Sequence, residues 1–426
     1  MNYAKFPPGF RFGAATSSYQ IEGGWNASDK SGNVWDHFIH SKPDRILDLS
    51  NGDIACDTYN NWKRDIEMAE ELGLHFYRFS LSWTRILPTG YPYKISEDGK
   101  EFYNNLINGL LAKNIEPIIT LYHWDLPQNL QDLGGWANPL VVDWFADYAR
   151  VVYNLYADRV KILLTLNEPT AFCDFSFNMG LHAPGVVSTG IGSYLCNKHV
   201  LLAHAKAWRI YDKEFRPKYN GKIGITNALL WLEAENKDEE EAAVLAREVM
   251  LGMYTYPIYS KEGGWPPLIE KHMKDRCESQ GWKISRLPKL SKEEIDLIKG
   301  TYDFVAFNYY TARTVRKAKD GEQVGQWMND KFGKLPIYIT ENGYADTDPT
   351  LEDVNRVQYY KDHLEQANEA IFYRLVKVRL KFGLYQVDFE DPKRTRRPRA
   401  SAKYYKEVIK QHRLDVDSDN KISDEL

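Results

Sequence analysis

The chain has 426 residues, room for two or three average domains or for one α/β barrel, a fold that takes about 250 residues and grows with loop insertions. Hydrophobic residues make up 43% of it, enough for a large core, and a net charge of −4 excludes general attraction to nucleic acid or to an anionic membrane surface. No apolar run approaches the roughly 18 residues of a membrane span.

In chain order, short apolar or β-branched runs alternate with amphipathic segments. The strand candidates are "FRFGAAT", "FYRFSLSW", "IEPIITLYHW", "KILLTLNEP", "KIGITNA", "DFVAFNYY" and "PIYITENG". Helical patterns fall at 60–74, 101–115 and 139–160, among others. Such alternation predicts a parallel sheet, and near-continuous apolar strands predict that both its faces are covered.

Polar and aromatic residues gather where these strands stop: Gln20 and Glu22, Arg78 and Trp83, His123 and Trp124, Asn167 and Glu168, Asn308 and Tyr310, Glu341 and Asn342. A doubly wound sheet concentrates chemistry at one or two crevices, whereas a (β/α)8 barrel builds its site from many strand ends at one face. The barrel is therefore expected, as a single domain over residues 1–411 followed by an acidic tail at 412–426. No Gly-rich phosphate loop follows a strand, so no nucleotide cofactor is expected.

Cys56, Cys173, Cys196 and Cys277 are widely spaced without a CxxC, so they read as buried or free thiols, not as a zinc site or a disulfide framework. No metal is expected elsewhere: Asp415, Asp417 and Asp419 have calcium-loop spacing, but Asn420 and Leu426 replace the required Gly and Glu. The opening "MNYAKFPPGFRFG" lacks the apolar core of a signal peptide, and "SDEL" at the end resembles an ER-retention tetrapeptide only loosely. The compartment stays open: cytoplasmic by default, secreted if a leader precedes the chain. The oligomeric state is likewise open.

Two strands end on a glutamate beside an asparagine: Glu168 in "TLNEPT" and Glu341 in "YITENG". A carboxylate at the edge of an apolar core is costly unless it is paired or hydrogen-bonded. Either residue alone reads as a capping or ion-pairing group. Together, brought across one cavity by a barrel, they match the two carboxyl groups of glycoside hydrolysis, one protonated and one ionised.

The motifs "FRFGAATSSYQIEGGWN", "YRFSLSWTRILP", "YHWDLP", "TLNEP", "HAPG", "HVLLAHAKA", "SRLPKLSKEE", "FNYYTAR" and "IYITENGYAD" resemble those of glycoside hydrolase family 1, the β-glucosidase type of retaining barrel. The resemblance covers about residues 6–346 and continues more weakly to about 411. It implies that Glu168 is the acid/base and Glu341 the nucleophile. It further implies that Gln20, His123 and Asn167 bind glycone hydroxyls, that Trp124 lines the pocket, that Asn308 orients it, and that Arg78 and Tyr310 hold Glu341 ionised. A small-molecule β-glucoside or β-galactoside is the implied substrate. Taken singly, His123 reads equally as a core histidine, Gln20 as a strand cap, and Arg78 and Tyr310 as structural hydrogen-bonders.

The pattern breaks in two places. Only 25 residues, 311–335, separate Tyr310 from Pro336, so the sixth helix is expected to be shortened or missing. The family's eighth-strand motif, Trp-Ser-Leu-x-Asp-Asn-Phe-Glu-Trp, does not occur, and Phe372 to Lys381 offers no substitute for its sugar-gripping residues. Three readings follow: an impaired enzyme, a catalytically inactive sugar- or protein-binding relative, or an incomplete gene model.

Overall fold

A computed structural model describes residues 5–46, 49–234, 237, 240–314, 337–344, 351–369 and 383–416. Among them, seven parallel strands form one sheet in sequence order: β1 (Gly13–Ala15), β2 (Phe76–Ser80), β3 (Glu116–Tyr122), β4 (Ile162–Asn167), β5 (Lys222–Glu233), β6 (Val305–Thr314) and β7 (Ile337–Glu341). The first and last of these approach each other, so the sheet curls into a barrel. Helices Thr58–Glu71, Glu97–Ala112, Val141–Tyr156 and Gly192–Ile210 make the first four crossovers. The fold is thus of the (β/α)8 class. The segments expected to hold the shortened sixth helix and the eighth strand lie almost wholly outside the described residues.

Two apolar clusters explain the closure. The larger lies between strands and helices and includes Leu163, Leu166 and Val152. The smaller joins Ile118, Ile162, Leu164, Phe304 and Ala306, with Phe76 against them. These side chains come from strands that are not all neighbours, so they fill the barrel interior below the mouth.

Alternation along β4 would continue from Ile162 and Leu164 to Leu166 as the next inward residue. The register instead shifts between Leu164 and Asn167. Leu166 joins the outer core, and Asn167 turns into the barrel. A second shift between β6 and β7 sets Asn308 opposite Glu341. Irregularities of this kind re-aim side chains next to active sites.

A short antiparallel pair, β8 (Tyr385–Val387) with β9 (Arg396–Pro398), precedes the final helix Ala400–Gln411. The described start of the acidic tail is docked: Phe6 N–H donates to the His412 carbonyl at 3.1 Å, and Val416 is buried. Asp415 is paired with Arg413, while Asp417 and Asp419 lie outside the described residues. No helix is long and apolar enough to cross a membrane, and no cluster suited to a metal occurs, both among the described residues.

The reading of all four cysteines as thiols is corrected. Cys173, in the helix that follows β4, and Cys196, in the next helix, are disulfide-bonded. A helix–helix contact between distant sequence positions brings them together, which no CxxC search detects. Cys56 and Cys277 are free. Closing a loop between residues 23 apart restricts the unfolded chain, by about 3 kcal/mol in the chain-entropy account. Replacing both Cys173 and Cys196 by Ser is therefore expected to lower the thermal unfolding midpoint of the oxidised protein by several degrees; an unchanged midpoint would contradict this role.

Candidate active site

The site grows around Arg78, which is inward-facing on β2 and 1% exposed. A guanidinium in so dry a place needs its N–H donors satisfied. Nε donates to Thr120 Oγ1 at 2.9 Å, Nη2 to Asn167 Oδ1 at 2.6 Å and Nη1 to Glu341 Oε1 at 2.8 Å. Tyr310 Oη donates to the other Glu341 oxygen at 2.6 Å. Burial pushes Glu341 up, but the charge of Arg78, then that of His123 at the acid pH where its ring is protonated, and the hydrogen bonds from Tyr310 and Arg78 outweigh it and hold the carboxyl below its ordinary range. Tyr310 itself, buried and beside that charge, stays protonated and remains a donor.

Glu168 has the opposite environment. It occupies the position before the helix Pro169–Phe177, with Pro169 as the first helical residue and its own backbone left-handed at φ 48°. Burial, and next the charge of Glu341, push its carboxyl up to about 8, against a hydrogen bond from Asn308 and the more distant Arg78. At neutral pH, one carboxyl carries a proton and the other a charge.

Asn167 connects the rest. Its Oδ1 also accepts from Asn308 Nδ2 at 3.0 Å, and its Nδ2 contacts His123 Nε2 at 3.0 Å. Because Oδ1 faces two donors, the amide orientation is fixed, and Nδ2 must donate to His123. His123 therefore carries its proton on Nδ1, a buried atom without a partner among the described residues. Burial, helped by Arg78, lowers its pKa to about 4, so the ring is neutral at pH 7.

The structure thus brings together Arg78, His123, Asn167, Glu168, Asn308, Tyr310 and Glu341. Trp124 adjoins them: its indole N–H is committed to the Asn167 carbonyl at 2.8 Å, and its ring stacks on His182. Gln20 is on the short helix Ser18–Ile21 after β1, exposed, and accepts from Ser17 Oγ at 2.8 Å. Among the described contacts it takes no part in the Arg78 network. Thr120 was missed by sequence reasoning; its signal is its place two residues before the end of an inward-facing strand.

A barrel mouth holding one protonated and one ionised buried carboxyl belongs to the glycoside hydrolase class. The model of Glycosyl hydrolase family 1 matches residues 2–326, 322–380 and 372–414, and the chain belongs to this family. It is 38% identical to Myrosinase 1 of Brevicoryne brassicae, over 96% of this chain and 99% of that protein. It is 35% identical to the cytosolic beta-glucosidase of Homo sapiens, again over 96% and 99%. The solved structure of an aphid myrosinase superposes with a TM-score of 0.90 at 38% identity, covering 95% of this chain and 99% of that one. The beta-glucosidase of Thermotoga maritima in complex with castanospermine gives 0.84 at 32% identity, covering 97% and 100%. The chain is a β-glycosidase by this relationship.

The raised Glu168 has a consequence for stability. Between its ordinary pKa near 4.5 and its folded value of about 8, the native state binds a proton that the unfolded chain releases. Stability therefore falls as pH rises through that window. Glu168→Gln should remove this slope, leaving the variant more stable than the parent at pH values above about 8; parallel thermal melts across pH check it.

Proposed function

We propose that the chain hydrolyses terminal β-glucosides or β-galactosides by double displacement, with Glu341 as nucleophile and Glu168 as acid/base, and with a weakened hold on the sugar's distal hydroxyls. The observation carrying this reading is the contrast between the two buried carboxyls, Glu341 bonded by Arg78 and Tyr310 and Glu168 beside the Glu341 charge.

In the first step a Glu341 oxygen attacks the anomeric carbon while Glu168 gives its proton to the departing oxygen. The aglycone leaves as an alcohol and a glycosyl-enzyme ester forms. Glu168, now ionised, takes a proton from water, which attacks the same carbon and releases Glu341. Tyr310 and Arg78 keep the nucleophile charged between turnovers. His123 Nδ1–H, without a partner among the described residues, is the donor this reading offers to a sugar hydroxyl.

Three facts support the weakened hold. The eighth-strand motif does not occur in the sequence. The family match is divided at 322–326 and 372–380, where the pattern breaks. The alignment with the Brevicoryne protein runs over 464 positions against 426 residues in the whole chain, so that relative carries segments without a counterpart here. Distal hydroxyl contacts help to drive the ring toward an oxocarbenium geometry, and losing them lowers the rate while leaving the carboxyls chemically able. The same motif loss favours a second reading, a binding module without turnover.

Weak hydrolysis of an activated aryl β-glucoside is expected, and Glu341→Gln should abolish it. Glu168→Gln should cost about 10²–10⁴-fold on substrates with poor leaving groups and far less on the activated one. In the parent, activity should decline above about pH 8 as Glu168 loses its proton. Vigorous turnover of cellobiose would sink the weakened hold; activity indifferent to Glu341→Gln would sink the nucleophile; no turnover of any β-glycoside with sugar binding retained would favour the binding module.

A further inference from the structure

We propose that Ser18, Ser80 and Asp125 form a hydrogen-bonded clasp that positions Gln20, Arg78 and His123 relative to one another, an inference that rests on the glycone roles given above to Gln20 and His123 and on the nucleophile-holding role given to Arg78.

The clasp joins the ends of three consecutive strands. The backbone N–H of Ser18 donates to Ser80 Oγ at 2.7 Å, Ser80 Oγ donates to Ser18 Oγ at 3.1 Å, and Ser18 Oγ donates to Asp125 Oδ2 at 2.7 Å. Each hydroxyl both accepts and donates, so the chain has one direction and ends on the carboxyl. All three residues are buried, Asp125 completely. Each also stands two positions from a residue of the site: Ser18 before Gln20, Ser80 after Arg78 and Asp125 after His123. A shift of one clasp member is passed through a single intervening residue to its neighbour in the pocket.

One intervening residue is strained, which is why the clasp is needed. Trp124 has φ 79°, a left-handed conformation that costs a bulky side chain free energy and persists only where the surroundings impose it. Its restraints are visible on both sides. His123 is held by Asn167, the Trp124 indole by the Asn167 carbonyl, and Asp125 by Ser18. The next residue, Leu126, accepts from Val34 N–H at 2.9 Å. Without the Ser18 bond, the chain after Trp124 loses its side-chain anchor to β1 and β2, and the turn that aims His123 can relax. Ser18, Glu22, Arg85 and Asp125 line one small cavity, and Asp125 Oδ1 has no hydrogen-bond partner among the described residues. Oδ2 is thus the oxygen committed to positioning.

The test compares Ser18→Ala, Asp125→Asn and a control, Thr301→Val, which removes an equally buried hydroxyl bond, to Ile298, before β6. Crystal structures and deoxynojirimycin affinity by calorimetry are measured for each beside the parent. Deoxynojirimycin is a ligand of the related Thermotoga maritima beta-glucosidase. Ser18→Ala should displace His123 or Gln20 by more than about 0.5 Å, the tolerance of a working site, and weaken the inhibitor about tenfold. Asp125→Asn keeps an oxygen for Ser18 and should stay near the parent. Thr301→Val should lower only the melting temperature. His123 and Gln20 unmoved in Ser18→Ala, an Asp125→Asn loss equal to that of Ser18→Ala, or the same affinity loss in the control would each overturn the clasp. If the parent itself does not bind deoxynojirimycin, the glycosidase reading is what fails, and the displacements alone decide on the clasp.

Discussion

The buried Arg78 guanidinium is the interaction on which the site depends. Removing such a cation from water is expensive, and one planar fork recovers the cost only if several acceptors converge on it. Here they come from different strands: Thr120 on β3, Asn167 on β4 and Glu341 on β7. The electrostatic asymmetry follows from the same residue. Arg78 requires an anion beside it, so Glu341 is ionised; with that negative charge fixed, burial and repulsion leave Glu168 protonated. Two identical side chains acquire different protonation from one neighbouring cation.

Strained backbone accompanies this arrangement at two points, Trp124 and Glu168, both left-handed without being glycine. In each case the next turn of chain is fixed by other means: Asp125 by Ser18, and the start of the helix after Glu168 by Pro169. The scaffold spends conformational energy where pocket residues leave the strands, and recovers it from buried hydrogen bonds just beyond.

Much of this was legible in the sequence, because a parallel strand buried on both faces leaves a continuous apolar run and the first polar residue after it marks the barrel mouth. Glu168, Asn167 and Glu341 were found that way. The register shifts were not legible. Strict alternation assigns Asn167 to the wrong face, and only the observed irregularity between Leu164 and Asn167 brings it to Arg78. The cystine escaped because helix packing, not spacing, pairs Cys173 with Cys196. Trp124 was placed in the site from the sequence, and the structure adds a hydrogen bond from its indole to the Asn167 carbonyl that no linear pattern encodes.

The fixed orientation of the Asn167 amide has a consequence for chemical selectivity. With its oxygen occupied by Arg78 and Asn308 and one amide hydrogen on His123, what remains of that corner is hydrogen alone: the other amide N–H and His123 Nδ1–H. A group meeting either must bring a lone pair. A hydroxyl satisfies one of them by turning its own hydrogen aside, and a fluorine or carbonyl oxygen is tolerated in kind. A protonated amine has no lone pair to offer and leaves the donor it meets unmatched, a mismatch that discriminates far more sharply than a difference in size. An ammonium brought against either donor is thereby disfavoured by polarity, whatever its size.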